Sequence, residues 1–288
     1  MMSPKLVIHI GSPKTSTTSL QSLLESLDIE GFMYGGCLQP RSAKRPSLVS
    51  DIHRSIVNRD KDSIKELSDS IKVALESKEI VLLSEEMFLV HENRMGVKEK
   101  LQELYDLIGD LRTEVLITVR NPSKGLPSLY QELYSNLPKD LQEDFSKFCY
   151  SDYALSFRYP ELDMLLKDLG FKNIRYVSFD SLVSGNLTLG SFLNSTLEQF
   201  NFALSLPKLN EGAKDITGRR QLVKSSRSKR LVKKLIKMKP SFLPNMGLSR
   251  KIPQGKDRST SSVNIDFTIP PSIIEAHSVF SLKELSSE

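Results

Sequence analysis

The sequence predicts an α/β fold in which a central parallel sheet is flanked by helices. Four short apolar runs of strand length occur at residues 6–10, 80–83, 115–119 and 174–179. The segments between them place apolar residues at the i, i+3, i+4 and i+7 spacing of amphipathic helices. Strands that alternate with helices are typical of a parallel sheet covered on both faces. The length of 288 residues fits one large domain spanning residues 1–288.

The helical periodicity is clear in most of the connecting segments. Residues 31–46 are rich in Gly, Pro and Ser and are predicted to form a loop, and residues 140–159 are predicted to be helical but irregular. Gly170 ends one helix, and Pro270 and Pro271 begin the last one. The predicted helices cover residues 20–27, 64–75, 97–111, 122–133, 162–169, 187–200 and 271–280.

Composition excludes several protein classes. The 39% hydrophobic and 26% charged content is ordinary for a globular domain. No stretch approaches the roughly 20 apolar residues of a membrane span, and the N-terminus lacks a secretory signal pattern. These features predict a cytoplasmic protein. With only Cys37 and Cys149 present, a disulfide framework or cysteine metal site is not expected.

The basic charge is confined to one segment near the C-terminus. Residues 214–258 contain fifteen Lys or Arg and two Asp, a local charge of +13, so the net charge of +5 leaves −8 for the rest. We interpret residues 213–257 as a basic insertion containing an amphipathic helix at 221–239. That helix is predicted to cover an acceptor cleft or to touch an anionic membrane surface, and a solvated basic helix is an equal alternative. Since Phe242 is the sole aromatic residue between positions 221 and 253, nucleic acid is not expected as a partner.

The first apolar run leads into a polar loop that has the character of a phosphate site. The loop reads Gly11-Ser12-Pro13-Lys14-Thr15-Ser16-Thr17-Thr18 and precedes a helix. A helix N-terminus leaves backbone N–H groups unpaired and carries partial positive charge, so it attracts phosphate. The lysine adds a full charge and the hydroxyls add donors. A Ser/Thr-rich helix cap without a ligand is the alternative.

Two more polar clusters follow strands of the predicted sheet. Ser84, Glu85 and Glu86 follow the second strand, and Arg120 follows the third, with Ser128 eight residues beyond it. Arginine's planar fork suits phosphate oxygens. In open parallel sheets, ligands bind beyond the carboxyl ends of the strands, where these clusters are expected to meet.

Together these motifs resemble PAPS-dependent sulfotransferases, where PAPS is 3′-phosphoadenosine 5′-phosphosulfate. The pattern Gly-x-Pro-Lys-Thr-x-Thr-Thr at residues 11–18 is similar to the 5′-phosphosulfate loop of that family, and Arg120 with Ser128 is similar to its 3′-phosphate signature. The resemblance implies a P-loop-like sulfotransferase fold, contacts from residues 11–18 to PAPS, and no required metal. The family usually has Gly at the position of Ser16, and serine resists positive φ. Residues 250–256 match the family's C-terminal phosphate loop only loosely.

The resemblance also implies catalytic roles. Lys14 is expected to stabilise the leaving phosphate. Bacterial carbohydrate and natural-product members of the family often carry Ser-Glu after the second strand, so Glu85 is the predicted general base and Glu86 its competitor. His9 is expected to be packed in the first strand. The expected acceptor is a hydroxyl or amine of a carbohydrate, a lipid-linked molecule or a small molecule.

Two other functions remain open at this point. A nucleotide kinase-like phosphate-loop transferase is disfavoured because Gly-Lys-[Ser/Thr] is missing from the loop. A non-catalytic protein that binds anionic ligands through the basic segment is the second alternative.

Overall fold

Five parallel strands form the centre of the molecule, in the order β2-β3-β1-β4-β5. The computed structural model describes residues 5–38, 47–92, 95–109, 111–207 and 267–285. Helices flank the sheet, so the predicted α/β fold with a central parallel sheet is confirmed. The strands are β1 (Lys5–His9), β2 (Phe32–Tyr34), β3 (Ile80–Ser84), β4 (Thr113–Val119) and β5 (Ile174–Ser178).

The helices connect these strands in chain order. They are α1 (Thr17–Glu25), α2 (Leu48–Asn58), α3 (Lys61–Ser77), α4 (Val97–Ile108), α5 (Pro122–Leu133), α6 (Lys139–Glu143), α7 (Phe145–Tyr150), α8 (Tyr159–Asp168), α9 (Phe179–Ser184), α10 (Leu189–Leu193) and α11 (Pro271–Glu284). Short 3₁₀ turns lie at Glu86–Leu89, Tyr134–Asn136, Asp152–Phe157 and Glu198–Phe200.

Side chains of β1 alternate between two hydrophobic cores, one on each face of the sheet. Leu6 and Ile8 pack into the larger core with residues of α2 to α5, α7, α8 and α11. Val7 points the other way and packs with residues of α1, α9 and α10. A strand that is buried on both faces reads as a continuous apolar run, which is why β1, β3 and β4 are visible in the sequence. β5 is a partly buried edge strand.

Two elements escape the sequence patterns. The segment 31–46, predicted as a loop, contains the short edge strand β2, so that part of the prediction is wrong. Helix α2 was not predicted, although Ser47 caps it by accepting a hydrogen bond from the Ser50 backbone N–H at 3.1 Å. Its apolar residues Val49, Ile52 and Ile56 are fully buried.

The helix predicted over residues 187–200 is much shorter in the structure. Helix α10 ends at Leu193 because Asn194 adopts a left-handed conformation, with φ +48°. The irregular helical character predicted for residues 140–159 is confirmed by α6, α7 and a 3₁₀ turn.

The basic segment 213–257, with its helix at 221–239 and the loop at 250–256, lies outside the described residues. Helix α11, which follows it, packs against α5 and α8. Cys37 and Cys149 are buried and unpaired. Within the described ranges, no helix combines the length and the apolarity needed to cross a bilayer.

Candidate active site

The carboxyl edge of the sheet brings the three polar clusters together. The register pairs His9 at the end of β1 with Ser84 at the end of β3. The His9 ring lies between two strands, with Nδ1 2.8 Å from the Ser84 hydroxyl and Nε2 2.9 Å from the Thr118 hydroxyl on β4. Burial lowers the pKa of His9 to about 3, so the imidazole is neutral and serves as a crosslink between the strand ends.

The loop after β1 is held in an unusual backbone conformation. Lys14 and Ser16 have φ values of +70° and +58° in the left-handed region, although neither is glycine. The strain expected at Ser16 is therefore present in the loop. Gly11 is needed for a different reason, because a Cβ atom there would lie 2.9 Å from Cε1 of the His9 ring.

Loop hydroxyls hold the loop together. The Ser12 hydroxyl donates to the Ser156 carbonyl at 2.8 Å, and the Thr15 hydroxyl donates to the Ser12 carbonyl at 2.5 Å. Both side chains are buried. Ser16 is the N-cap of α1 but makes no side-chain cap hydrogen bond. Ser16 therefore does not cap the positive end of this nine-residue helix with its own side chain.

Arg120, which follows β4, binds the first loop (residues 11–18). Its guanidinium Nη1 donates to the Lys14 carbonyl, and its plane lies over the Phe179 ring, 4.6 Å from the centroid. The Tyr159 hydroxyl fixes the Arg120 backbone by accepting from its N–H at 2.9 Å and donating to its carbonyl at 3.1 Å. Tyr159 is fully buried and was not identified from the sequence.

Ser128, the partner predicted for Arg120, lies on α5 and is partly exposed. Its hydroxyl makes no hydrogen bond within the described part of the chain, so its link to Arg120 remains a prediction. Helix α5 itself is fixed by close packing, since a Cβ atom at Gly125 would lie 2.0 Å from the Phe157 ring.

The two carboxylates after β3 lie in different surroundings. Glu85 is fully buried, and its oxygens accept from the backbone N–H groups of Met87 at 3.0 Å and Leu38 at 2.9 Å. Burial raises the pKa of Glu85, and these backbone hydrogen bonds oppose the rise. This carboxylate caps the 3₁₀ turn Glu86–Leu89 and binds the chain after β2.

Glu86 is partly exposed and lies beside the first loop. Burial and then the neighbouring Glu85 charge raise the pKa of Glu86 to about 7, while a hydrogen bond from Thr17 and the charge of Lys14 oppose the rise. Glu132 on α5 raises it further. A carboxyl group that titrates near neutral pH beside a lysine is suited to proton transfer.

A buried lysine holds the turn that carries Glu86. Lys100 on α4 is fully buried, and its ammonium donates to the Met87 carbonyl at 2.6 Å and to the Val90 carbonyl. It also forms an ion pair with Glu92 at 2.9 Å. The turn is thus tied at its start by Glu85 and at its end by Lys100. Sequence reasoning missed Lys100 because its role depends on how α4 packs against the turn.

The Lys14 ammonium has a carboxylate partner from α5. Its Nζ lies 3.0 Å from Oε2 of Glu132. The Lys14 side chain is 29% exposed and that of Glu132 is 55% exposed, so solvent reaches the pair. Glu132 carried no signal in the sequence beyond being one acidic residue on an amphipathic helix.

A cavity lies at the opposite, amino edge of the sheet. It measures about 590 Å³, and its lining includes Lys5, Glu114, Arg175 and Asn194. Lys5 donates to the Leu193 and Asn194 carbonyls at 2.6 and 2.9 Å and pairs with Glu114, which also binds Arg175 at 2.9 Å. The charges of Lys5, Glu114 and Arg175 are met by one another and by the backbone, so the size of this cavity does not mark it as the site.

Among the residues that the structure describes, no group of three or more His, Cys, Asp or Glu side chains is arranged to hold a metal ion. Comparison with known proteins adds no identification: no family model matches the chain, and no curated protein matches it.

Proposed function

We propose that the protein is a sulfotransferase that moves a sulfuryl group from PAPS to a hydroxyl or amine acceptor. The observation that carries the proposal is the placement of Glu86 and Lys14 beside the left-handed loop at the N-terminus of α1, with Arg120 bound to the same loop. This arrangement offers an anion site and a carboxyl group titrating near pH 7 within one edge of the sheet.

The first loop, residues 11–18, binds the 5′-phosphosulfate in this proposal. Backbone N–H groups at the start of α1 point to the anion, and the helix adds partial positive charge. The buried hydroxyls of Ser12 and Thr15 keep the loop in shape, whereas Ser16 and Thr18 are partly exposed. Lys14 stabilises the charge that develops on the leaving phosphate.

Arg120 and Ser128 bind the 3′-phosphate in this proposal. One nitrogen of the guanidinium is engaged by the Lys14 carbonyl, and the remaining donors of its fork are suited to phosphate oxygens. Because the same side chain holds the first loop, binding of the 3′-phosphate and the shape of the 5′ site are coupled.

We assign the general base to Glu86 rather than to the predicted Glu85. Both Glu85 oxygens already accept backbone hydrogen bonds in a fully buried place. In the transfer step, the acceptor oxygen or nitrogen attacks sulfur and its proton passes to Glu86. The bond from sulfur to the bridging oxygen breaks, and the electron pair stays on the leaving phosphate beside Lys14.

The alternatives receive less support. A nucleotide kinase-like transferase lacks the Gly-Lys-[Ser/Thr] of its loop. A binding protein without catalysis is less favoured, because a carboxyl group beside Lys14 whose pKa burial raises to about 7 is more typical of a site of proton transfer. A cytoplasmic location, an acceptor of carbohydrate, lipid-linked or small-molecule type, and membrane contact through residues 221–239 all remain predictions, as does catalysis without a metal.

The test compares adenosine 3′,5′-bisphosphate with ATP. We expect the bisphosphate to raise the melting temperature and ATP to have little effect, because a ligand stabilises the state that binds it. In the Arg120→Ala variant, bisphosphate affinity should fall at least about tenfold, the value of a lost charge-assisted hydrogen bond. Arg54→Ala, which removes an exposed arginine paired with Asp51 on α2, is the control and should bind normally.

Turnover is then measured as formation of the bisphosphate from PAPS with a panel of hydroxyl and amine acceptors. Equal stabilisation by ATP and the bisphosphate would contradict the proposal, as would an Arg120→Ala variant with unchanged affinity.

A further inference from the structure

The ion pair between Lys14 and Glu132 links the anion-binding loop to the end of helix α5. Helix α5 starts two residues after Arg120, and Glu132 lies in its last turn. The Nζ to Oε2 distance of 3.0 Å makes this a direct contact. The lysine that is proposed to meet the leaving phosphate is therefore neutralised by the protein itself.

We propose that Glu132 is the resting partner of Lys14 and that an oxyanion of the donor replaces Glu132 when it binds. Before binding, Glu132 positions the Lys14 ammonium. After binding, the unpaired Glu132 carboxylate adds a negative charge near Glu86. The identity of the donor rests on the function proposed above. The exchange itself requires only that an anion binds the loop.

The pair is suited to exchange because it is exposed. An ion pair that solvent reaches contributes little stability, about 0.2–1 kcal/mol, so a multiply charged oxyanion can displace the carboxylate at small cost. Two other lysines show the contrast. Lys5 is held by two backbone carbonyls as well as Glu114, and the fully buried Lys100 is held by two carbonyls as well as Glu92.

The backbone around Lys14 is held while its side chain is not. Its carbonyl accepts from Arg120, and its φ of +70° fixes the direction in which the side chain leaves the loop. The ammonium contacts Glu132 at the end of a flexible stem. Exchange of the partner therefore needs rotation of side chains and no movement of the loop.

The exchange changes the charges that face Glu86. These groups are Glu85 next to it in the chain, Thr17 on α1, Lys14 on the loop and Glu132 on α5. In the resting state the Lys14 charge offsets that of Glu132, and the two act on Glu86 in opposite directions. Once the lysine turns to the donor, the Glu132 charge is unpaired, and a like charge nearby favours proton uptake by Glu86. Glu132 thus makes the base stronger when the donor is bound.

The test uses Glu132→Gln in the full chain, with affinities for adenosine 3′,5′-bisphosphate and for inorganic pyrophosphate measured by calorimetry. Loss of the competing carboxylate should tighten both affinities by about two- to fivefold, the range that corresponds to an exposed ion pair. Glu143→Gln is the matched control, since it removes an exposed carboxylate from the next helix, α6. It should change neither affinity.

Glu132→Asp separates the two roles. It keeps the charge but shortens the side chain by one methylene, so it should tighten anion binding while leaving the pH midpoint of kcat near that of the parent. Glu132→Gln should tighten binding and also move the acid limb of kcat to lower pH. The acid limb of kcat reports the base in the enzyme–substrate complex.

Unchanged or weaker affinity of Glu132→Gln for both anions would overturn the exchange, and an unmoved acid limb would overturn the effect on Glu86. If pyrophosphate binds more tightly to the variant while the parent does not prefer the bisphosphate to ATP, the exchange stands and the proposed donor is wrong. That outcome separates failure of this inference from failure of the proposed function.

Discussion

The charged side chains at the two edges of the sheet differ in how completely they are paired. At the amino edge, Glu114 binds Lys5 and Arg175 together, and backbone carbonyls take the remaining donors of the lysine. At the carboxyl edge, Lys14 has one exposed partner, and Glu86 has a pKa raised to about 7. The amino edge has a cavity of about 590 Å³, yet its charges of Lys5, Glu114 and Arg175 are already matched.

Charged groups with exchangeable or incomplete partners therefore mark a candidate site better than cavity volume does. Ion pairs whose charges are matched belong to the fold. A carboxyl group with a pKa near neutral pH and a lysine with an exchangeable partner are instead suited to binding a ligand and to proton transfer. If this interpretation is right, substitutions at the carboxyl edge should change chemistry, and substitutions at the amino edge should change stability.

The sharpest test is Glu86→Gln compared with Glu85→Gln. Removal of a general base lowers turnover by about 10²–10⁴-fold, so kcat of Glu86→Gln should fall by that factor while bisphosphate affinity stays near that of the parent. Glu85→Gln should lose stability, because its carboxylate accepts the N–H groups of Met87 and Leu38. Steady-state kinetics and thermal melts on both variants measure the difference.

The pH dependence gives a second reading of the same comparison. Because the folded-state pKa of Glu86 is raised from 4.5 to about 7, kcat/KM should fall about tenfold per pH unit below pH 7. The free energy of unfolding has the opposite pH dependence: the contribution of this group is fully present below pH 4.5 and is lost as pH rises through 7.

For the mutant comparison, a Glu85→Gln variant that loses turnover while Glu86→Gln remains active would return the role of general base to Glu85.

At the amino edge, Glu114→Gln should reduce stability by about 3 kcal/mol. The substitution leaves Lys5 and Arg175 facing an uncharged amide in a place where the Lys5 and Glu114 side chains are only 13% and 11% exposed. Chemical denaturation measures the loss, and affinity for the bisphosphate should not change. Asp51→Asn, which breaks the exposed pair with Arg54, is the control and should cost less than about 1 kcal/mol. Weakened ligand binding in Glu114→Gln would contradict the separation of the two edges.

The smallest effect is expected at Ser16. A non-glycine residue in the left-handed region destabilises the folded state by about 1–2 kcal/mol. Glycine removes this strain, but its larger conformational entropy in the unfolded chain offsets part of the gain. Ser16→Gly should therefore stabilise the protein by up to about 1 kcal/mol, read from denaturant unfolding. Ser16→Ala keeps the strain and should give no gain. A less stable Ser16→Gly variant would show that the loop is not strained at this residue.

The sequence was sufficient for much of the fold because buried parallel strands are continuous apolar runs. It was insufficient for β2 and α2. β2 is a three-residue edge strand within a Gly-rich segment, and α2 was overlooked although Ser47 and the spacing of Val49, Ile52 and Ile56 indicate it. Strand alternation also could not decide between Glu85 and Glu86, because the chain leaves β3 through a 3₁₀ turn at that point.

The polar loops of the candidate site were found from local order, and their mutual contacts were not. Lys14 and Arg120 stand out because each follows a strand, but the bond from Arg120 to the Lys14 carbonyl spans 106 positions. Glu132 also meets Lys14 from a distant part of the chain, and Tyr159 binds Arg120 across 39 positions. Lys100 contacts Met87 and Val90 across only 13 and 10 positions, but that contact depends on how α4 packs against the turn. Such residues have no local pattern, since their roles depend on how the helices pack.

The neutral ring of His9 has a consequence for how this edge opens. It is bonded to hydroxyls on β3 and β4 while lying on β1 between them. A local fluctuation that frees one strand end must break a bond shared with its neighbour. Amide hydrogens at the ends of these three strands should therefore exchange with solvent as one cooperative unit, and the loops that follow them should not loosen independently.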